Sequence, residues 1–354
     1  MKNIFLHIQD SNYAIEDLVL ATVVKTAGST PQKAGSSALF HGSELLSGTI
    51  GGGVLEGKIA GIAGKTAKSK KSGLYRFQLD NSSPSGEDAL CGGSVSVLID
   101  PELARHALVL KKSVASISAR LSGVIMTMVS NIYAESVIID RFWVTSSDDP
   151  GLSAGVSERV MPEITDMISK SDPYDFRELE FMLPGEDSAS VAYLQSVVPP
   201  PRLVIVGAGH IGKALSAIGQ MLDFDVTVVD DRKEFANRQN LPSADHILIG
   251  DVGAQVSGIN KGRDTFIVIV TRGHREDANA LRACIGSDVA YIGMIGSRNK
   301  ISEMHKEFIE NKWATQEQWT RIFAPVGVEI NSKSVEEIAV SIAAQLVQVR
   351  NREK

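Results

Sequence analysis

Two rhythms of apolar residues follow one another along this chain, and they change at three successive prolines, residues 199–201. Ahead of the prolines, residues 18–24, apolar at every position but Thr22, read as a buried strand, and 37–40 with 45–46 flank His41-Gly42 as a hairpin. Over 54 to about 72 the spacing turns helical, with Leu55, Ile59 and Ile62 on one face and Lys58, Lys65, Lys68, Lys70 and Lys71 elsewhere. Residues 94–99 alternate as a half-buried strand closed by Asp100-Pro101, and residues 1–10 read as an amphipathic first helix. From 102 to about 198 the pattern is weak, with strands expected at 124–129 and 137–139 and a helix at 161–170.

Three prolines cannot continue a helix or a central strand, and they make a stiff spacer. Beyond them, short apolar runs at 203–206, 226–229, 246–249, 265–270 and 289–292 alternate with helical segments. That is the rhythm of a doubly wound parallel sheet. The expected fold class is α/β, with a mixed α/β domain over 1–198 and a Rossmann-like doubly wound parallel sheet over 199–354.

Composition narrows the classes. A length of 354 residues fits two cores better than one, and 43% hydrophobic with 22% charged residues carries no signature of disorder. A net charge of −6 favours neither nucleic acid nor a membrane surface as partner. The first apolar stretch is too short for a secretory leader, and no run approaches the roughly 18 apolar residues of a membrane span. A cytoplasmic protein is the expectation. Two cysteines, Cys91 and Cys284, make no disulfide framework and show no zinc-type spacing. Cys284 keeps helical spacing with Ala280 and Leu281 and reads as core.

Candidate chemistry concentrates in two places. Gly207-Ala-Gly-His-Ile-Gly212 follows a strand and opens a helix to about 222, and Asp230 ends the next strand, which is the context in which G-x-G-x-x-G binds a dinucleotide. Gly207 would make the tight turn, Gly209 would admit a pyrophosphate beside His210, and Gly212 would let helix and strand pack closely. Asp230 either accepts from a ribose hydroxyl or caps the following segment with Asp231 and Arg232. Arg272 and His274 follow the fourth run and Ser297 and Arg298 the fifth, where the carboxyl ends of an open sheet line a ligand crevice. The same residues also suit turns and caps, with Asp277 as an N-cap and Arg298 in a first turn.

In the first half, Gly51, Gly52 and Gly53 promise bare N–H donors for a polar ligand. Cys91, followed by Gly92 and Gly93, is either a thiol open to that ligand or a small buried hydrophobe. The lysines of the 54–72 helix either steer an anion or form a solvated face.

Taken together, Ala27-Gly-Ser-Thr-Pro31, Gly48-Thr-Ile-Gly-Gly-Gly-Val-Leu-Glu56, Cys91-Gly-Gly-Ser-Val95, residues 200–212, Val229-Asp-Asp-Arg232, Thr271-Arg-Gly-His274 and Gly293-Met-Ile-Gly-Ser-Arg298 resemble the XdhC/CoxI family of xanthine dehydrogenase accessory proteins. The resemblance implies a maturation chaperone rather than an enzyme with turnover of its own. Such a factor binds the molybdenum cofactor (molybdopterin), protects it while a cysteine desulfurase replaces an oxo by a sulfido ligand, and delivers it to an apo xanthine dehydrogenase-type enzyme. On this footing Cys91 looks like the thiol that meets the cofactor, as sulfuration thiol or soft ligand to molybdenum. Gly51, Gly52, Gly53, Glu56, Gly92 and Gly93 become cofactor contacts, and a homodimer is expected of a factor that docks on a dimeric client.

Two departures stand out. Gln32 replaces the family's arginine, and Gly327-Val-Glu-Ile-Asn-Ser332 replaces Gly-Leu-Asp-Ile-Gly-Ala, although Asn331 can adopt the left-handed turn conformation. Two other classes remain open: an NAD(P)- or FAD-dependent oxidoreductase with His274 as acid/base, and a nucleotide-sensing interaction module. Neither needs the N-terminal glycine motif or Cys91.

Overall fold

The structure, a computed structural model, describes residues 4–9, 11–79, 92–146, 151–182 and 189–352. The chain divides into two compact units, Met1–Pro199 and Pro200–Lys354.

The first unit runs α1 (Ile4–Gln9), β1 (Leu18–Ala27), β2 (Ser37–His41), β3 (Glu44–Gly48), α2 (Gly53–Ser69), β4 (Gly73–Gln78) and β5 (Ser94–Asp100). It continues with α3 (Ala107–Ser118), β6 (Gly123–Ser130), β7 (Ile138–Val144), α4 (Ala154–Lys170), β8 (Phe176–Met182) and β9 (Ala189–Val197). The strands form two sheets, ordered β3-β2-β1-β5-β4 and β7-β6-β9-β8, in which every pairing is antiparallel.

Burial on both faces explains the apolar run at 18–24, in which the one polar residue, Thr22, shares a hydrogen bond with Ser37 at 3.1 Å. Val19, Ala21 and Val23 point towards Leu55, Ile59 and Ala63 of α2, whereas Leu18 and Leu20 meet Leu110 and Val114 of α3 and Ile125 of β6. The outer face of the second sheet packs under α4 through Val124, Met126 and Leu194 against Val156, Val160 and Ile164. The layers are therefore α2, first sheet, second sheet and α4.

Between the sheets, Asp100 of β5 and Arg141 of β7 form an ion pair with side chains only 1% and 4% exposed. Burial by itself would push the Asp100 carboxyl up. The guanidinium of Arg141, with the Glu102 N–H donating at 2.8 Å, outweighs it and holds Asp100 below the usual carboxylate range. Sequence reasoning missed α3, the edge strand β4 of the first sheet, and β8 and β9, which complete the second sheet. Serines at 190 and 196 and Gln195 interrupt the apolar run of β9, and charged Arg177, Glu178 and Glu180 mark β8 as an edge.

The second unit runs β10 (Arg202–Val206), α5 (His210–Met221), β11 (Asp225–Asp230), β12 (His246–Ile249), α6 (Val252–Gly258), β13 (Thr265–Ile269), α7 (His274–Arg282), β14 (Tyr291–Met294), α8 (Arg298–Glu310), α9 (Gln316–Thr320) and α10 (Val335–Arg350). Its five strands are parallel in the order β12-β11-β10-β13-β14. One face is covered by α5 and α10 through Leu215, Ile342 and Leu346, the other by α6, α7 and α8 through Val256, Leu281, Met304 and Phe308. The chain builds outward from β10 to β12 and then returns to β13. The switch point of the sheet, where ligands of such folds bind, therefore lies between β10 and β13.

Candidate functional site

In the first unit, three stretches distant in sequence meet at the end of β1. A Cβ placed on Gly93 would lie 2.3 Å from the Ser29 carbonyl oxygen and 2.6 Å from that of Ala27, so only glycine permits this approach. Ser29 bridges Gly92, the Gly92 N–H donates to the Leu79 carbonyl at 2.8 Å, and the Leu79 N–H donates to that of Gly93 at 2.8 Å. A Cβ on Gly51 would stand 2.7 Å from Cγ of Pro31. The geometry thus gathers residues 27–31, 48–56 and 92–93. Cys91 lies outside the described residues, one peptide bond from Gly92.

The glycine loop corrects one expectation. Gly51, Gly52 and Gly53 take φ values of +130°, +67° and +55°, a left-handed run that residues with a Cβ rarely adopt. Two of their N–H groups are not bare, however. Gly51 N–H donates to Thr49 Oγ1 at 3.3 Å, and Gly52 N–H donates to Glu56 Oε2 at 3.3 Å. The same Glu56 oxygen accepts from Thr49 Oγ1 at 3.0 Å and Ile50 N–H at 3.4 Å. Glu56, one turn into α2, thereby holds the loop. What the loop leaves open is its Cβ side, since a side chain on Gly52 or Gly53 would meet no heavy atom within 4 Å. The Glu56 bonds predict an outcome: Glu56→Ala should lower stability by about 1–3 kcal/mol in urea unfolding, while Glu56→Gln, which still presents an acceptor, should cost less than half as much.

Of the lysines expected on a 54–72 helix, Lys70 ends α2 as its left-handed cap and donates to the Glu16 carbonyl, and Lys71, beyond the helix, pairs with Glu135 at 3.1 Å. Cys284 is buried in the second unit, and burial pushes its thiol up to about 12.

In the second unit, the glycine loop sits at the switch point. A Cβ on Gly207 would lie 2.5 Å from the Val270 carbonyl oxygen, bringing the loop against the chain that leaves β13. A Cβ on Gly212 would lie 1.9 Å from the Gly207 carbonyl oxygen, whereas one on Gly209 would meet nothing within 4 Å. His210 is exposed in the first turn of α5.

Asp230 is buried and turned inward. It accepts from Ala208 N–H at 2.7 Å and Arg232 N–H at 3.0 Å, and from Arg232 Nε and Nη2 at 2.8 Å each. Burial opposes its charge, but Arg232 and the two N–H groups prevail and hold its carboxyl below the ordinary range. Arg272 lies 3.7 Å from Asp231, and His274 Nε2 lies 2.8 Å from Glu307 Oε2.

Asp277 is not an N-cap; Gly273 caps α7, and Asp277 sits one turn further on, fully buried. Its carboxylate accepts from Thr271 Oγ1 at 2.5 Å and from Lys300 Nζ. Burial pushes this carboxyl up, further than Lys300 and Thr271 pull it down. Ser297 caps α8 by accepting from Lys300 N–H at 3.3 Å, and exposed Arg298 opens that helix. Thr271, Asp277 and Lys300 escaped sequence reasoning as a group, because nothing in a linear pattern pairs residues on α7 and α8.

The comparisons with known proteins fall on both units. Residues 14–78 match the model of the XdhC and CoxI family, and residues 203–346 match that of the XdhC Rossmann domain. The chain belongs to the XdhC and CoxI family. A curated relative in Bacillus subtilis, described as a probable xanthine dehydrogenase subunit, is 25% identical over 342 residues, which is 95% of this chain and 94% of that protein. The uncharacterized protein YqeB of Escherichia coli is 34% identical over 152 residues, but the match spans 43% of this chain and only 28% of YqeB. The solved structure of a xanthine dehydrogenase from Bacillus halodurans shares the fold, with a TM-score of 0.77 at 22% identity over 99% of this chain and 96% of that one.

The XdhC and CoxI match takes in Ala27–Pro31 and Gly48–Glu56, and the XdhC Rossmann match runs from β10 into α10; Cys91 falls between them. At the two departures, Gln32 accepts from the Ser36 hydroxyl at 3.1 Å, and Asn331 takes the left-handed conformation with φ of +57°.

Proposed function

We propose that this XdhC-family chain is a cytoplasmic maturation factor that binds the molybdenum cofactor, supports its sulfuration by a cysteine desulfurase and hands it to an apo xanthine dehydrogenase-type enzyme. The observation that carries the reading is the meeting of residues 27–31, 48–56 and 92–93 at one point, next in sequence to Cys91. Among the described residues no helix is long and apolar enough to cross a membrane, which agrees with a factor that carries a polar cargo between enzymes.

The cargo joins a flat polar ring and a phosphate to a sulfur-bound metal. The residues present fit the ring and the metal. The open sides of Gly52 and Gly53 let a flat group lie against backbone, and a Cys91 thiolate is a ligand of matching softness. The N–H groups of Gly51 and Gly52 are committed to Thr49 and Glu56, so phosphate recognition falls to other donors. Glu56 keeps the loop in its left-handed shape, Gly51 lets Pro31 pack against it, and Gly93 lets residues 27–29 lie against the 92–93 backbone. To the second unit the proposal gives a dinucleotide at Gly207–Gly212, lying across the switch point between β10 and β13.

The test is retention. Purified chain is incubated with freshly released molybdenum cofactor, freed of unbound material by gel filtration, and assayed for pterin and molybdenum. Near-stoichiometric retention in the wild type and its loss in Cys91→Ala are expected, with Cys284, buried in the other unit, left unchanged in both proteins. Equal retention by Cys91→Ala would remove the thiol from the proposal, and no retention by the wild type would end it.

A further inference from the structure

The carboxylate with which a dinucleotide site reads ribose hydroxyls is already saturated in this protein. An ionised carboxylate offers about four acceptor positions. Asp230 fills them with Ala208 N–H, Arg232 N–H and the Nε and Nη2 donors of Arg232, all within 3.0 Å, and its side chain is 3% exposed.

Arg232 is fixed from a second direction, because its guanidinium carbon stands 4.0 Å over the Phe235 ring. The described hydrogen bonds use its Nε and Nη2, and none of them uses Nη1. Asp231, at the same strand end, faces Arg232 Nε and Arg272 Nη2 at 3.7 Å each. Two carboxylates are thus matched by two guanidiniums. Where Asp230 ends its strand the crevice presents a held guanidinium edge in place of a free acceptor, and the more exposed Asp231 beside it faces the two guanidiniums.

We propose that the crevice of the second unit selects a dinucleotide whose adenosine ribose carries a phosphate, and that Arg232 is the residue that reads it. This rests on the reading of Gly207–Gly212 as a dinucleotide site. An unphosphorylated ribose brings hydroxyl donors, and Asp230 accepts from them only by releasing Arg232, which leaves a guanidinium without its charged partner. A ribose phosphate brings acceptors instead and bonds to Nη1 while the Asp230–Arg232 pair stays intact. Asp230 then acts through Arg232, as the group that positions its guanidinium.

Titration calorimetry on the full chain with NADPH against NADH, and with 2′,5′-ADP against 5′-ADP, tests the proposal. The 2′-phosphorylated member of each pair should bind at least about tenfold tighter. In Arg232→Gln that preference should fall to within about twofold, while the affinity for NADH stays the same or rises. If Arg232→Gln does not fold, the wild-type comparison decides alone. Equal or tighter binding of NADH by the wild type would overturn the assignment to Arg232 and leave the dinucleotide reading standing. Failure of both dinucleotides to bind at millimolar concentration would overturn that reading and the proposal with it.

Discussion

Arg141→Ala should destabilise the first unit by about 3–5 kcal/mol, the cost of leaving one member of a buried ion pair uncompensated. Asp100 and Arg141 lie between two sheets with almost no access to water, so no solvent replaces the missing guanidinium. The pH dependence gives the sign. In the wild type the folded pKa of Asp100 is depressed, so its stabilising contribution is present above the unfolded value of about 4 and is lost as pH falls through the folded one. In Arg141→Ala burial, the largest influence on this carboxyl, is opposed mainly by the Glu102 N–H and raises that pKa, so the carboxyl protonates in the folded state more readily than in the unfolded one. The deficit of the variant should therefore be largest at neutral pH and shrink towards pH 4. Urea unfolding at pH 7 and pH 4 checks both statements, and a deficit that grows with acidity would contradict the ion-pair account. Asp100→Asn/Arg141→Met should recover most of the loss, since it buries no charge and keeps an acceptor for the Glu102 N–H.

Gly212→Ala should have the largest effect in the second unit. The added methyl would sit 1.9 Å from the Gly207 carbonyl oxygen, a backbone atom that cannot swing aside, so the first turn of α5 or the loop before it must move. Overpacking of this kind costs about 1–3 kcal/mol, sometimes more, and the displaced loop should weaken nucleotide binding by more than about tenfold. Gly209→Val separates the two effects. Its side chain meets open space, so stability should hold while a pyrophosphate is kept away from the backbone. Calorimetric titration with NADPH, alongside urea unfolding, reads both variants. Unchanged affinity in Gly209→Val would place the ligand elsewhere.

The parallel sheet was legible because each of its strands is a short apolar run, buried on both faces in all but the edge strand β12, and β10, β11, β12 and β13 fall where the runs do. The last strand begins two residues later than its apolar run, at Tyr291. In the first unit the hairpin, α2 and β5 were equally plain, whereas α3, with serines at 113, 116 and 118, and the interrupted β9 carry no clean period. The candidate sites were legible as places more than as bonds. A glycine motif marks where backbone is exposed, but not that Glu56 folds back one turn to take the Gly52 N–H, nor that Arg232 closes over Asp230. Those partners are chosen by side-chain reach and local charge, which spacing does not encode.

The placement of β1 at the centre of its sheet also sets a timetable for synthesis. Its partners are β2, close behind it, and β5, whose residues 94–100 pair with it only after some seventy further residues have been made. Until then the emerging chain carries an apolar strand with one open hydrogen-bonding edge, the template on which unfinished chains aggregate. The parallel unit imposes a similar wait on β10, whose first partner β11 follows after a single helix but whose second, β13, begins only at Thr265. A ribosome that stalls before residue 94 therefore releases a hazardous fragment, and one that stalls after β9 leaves behind a first unit with all its strands already in hand.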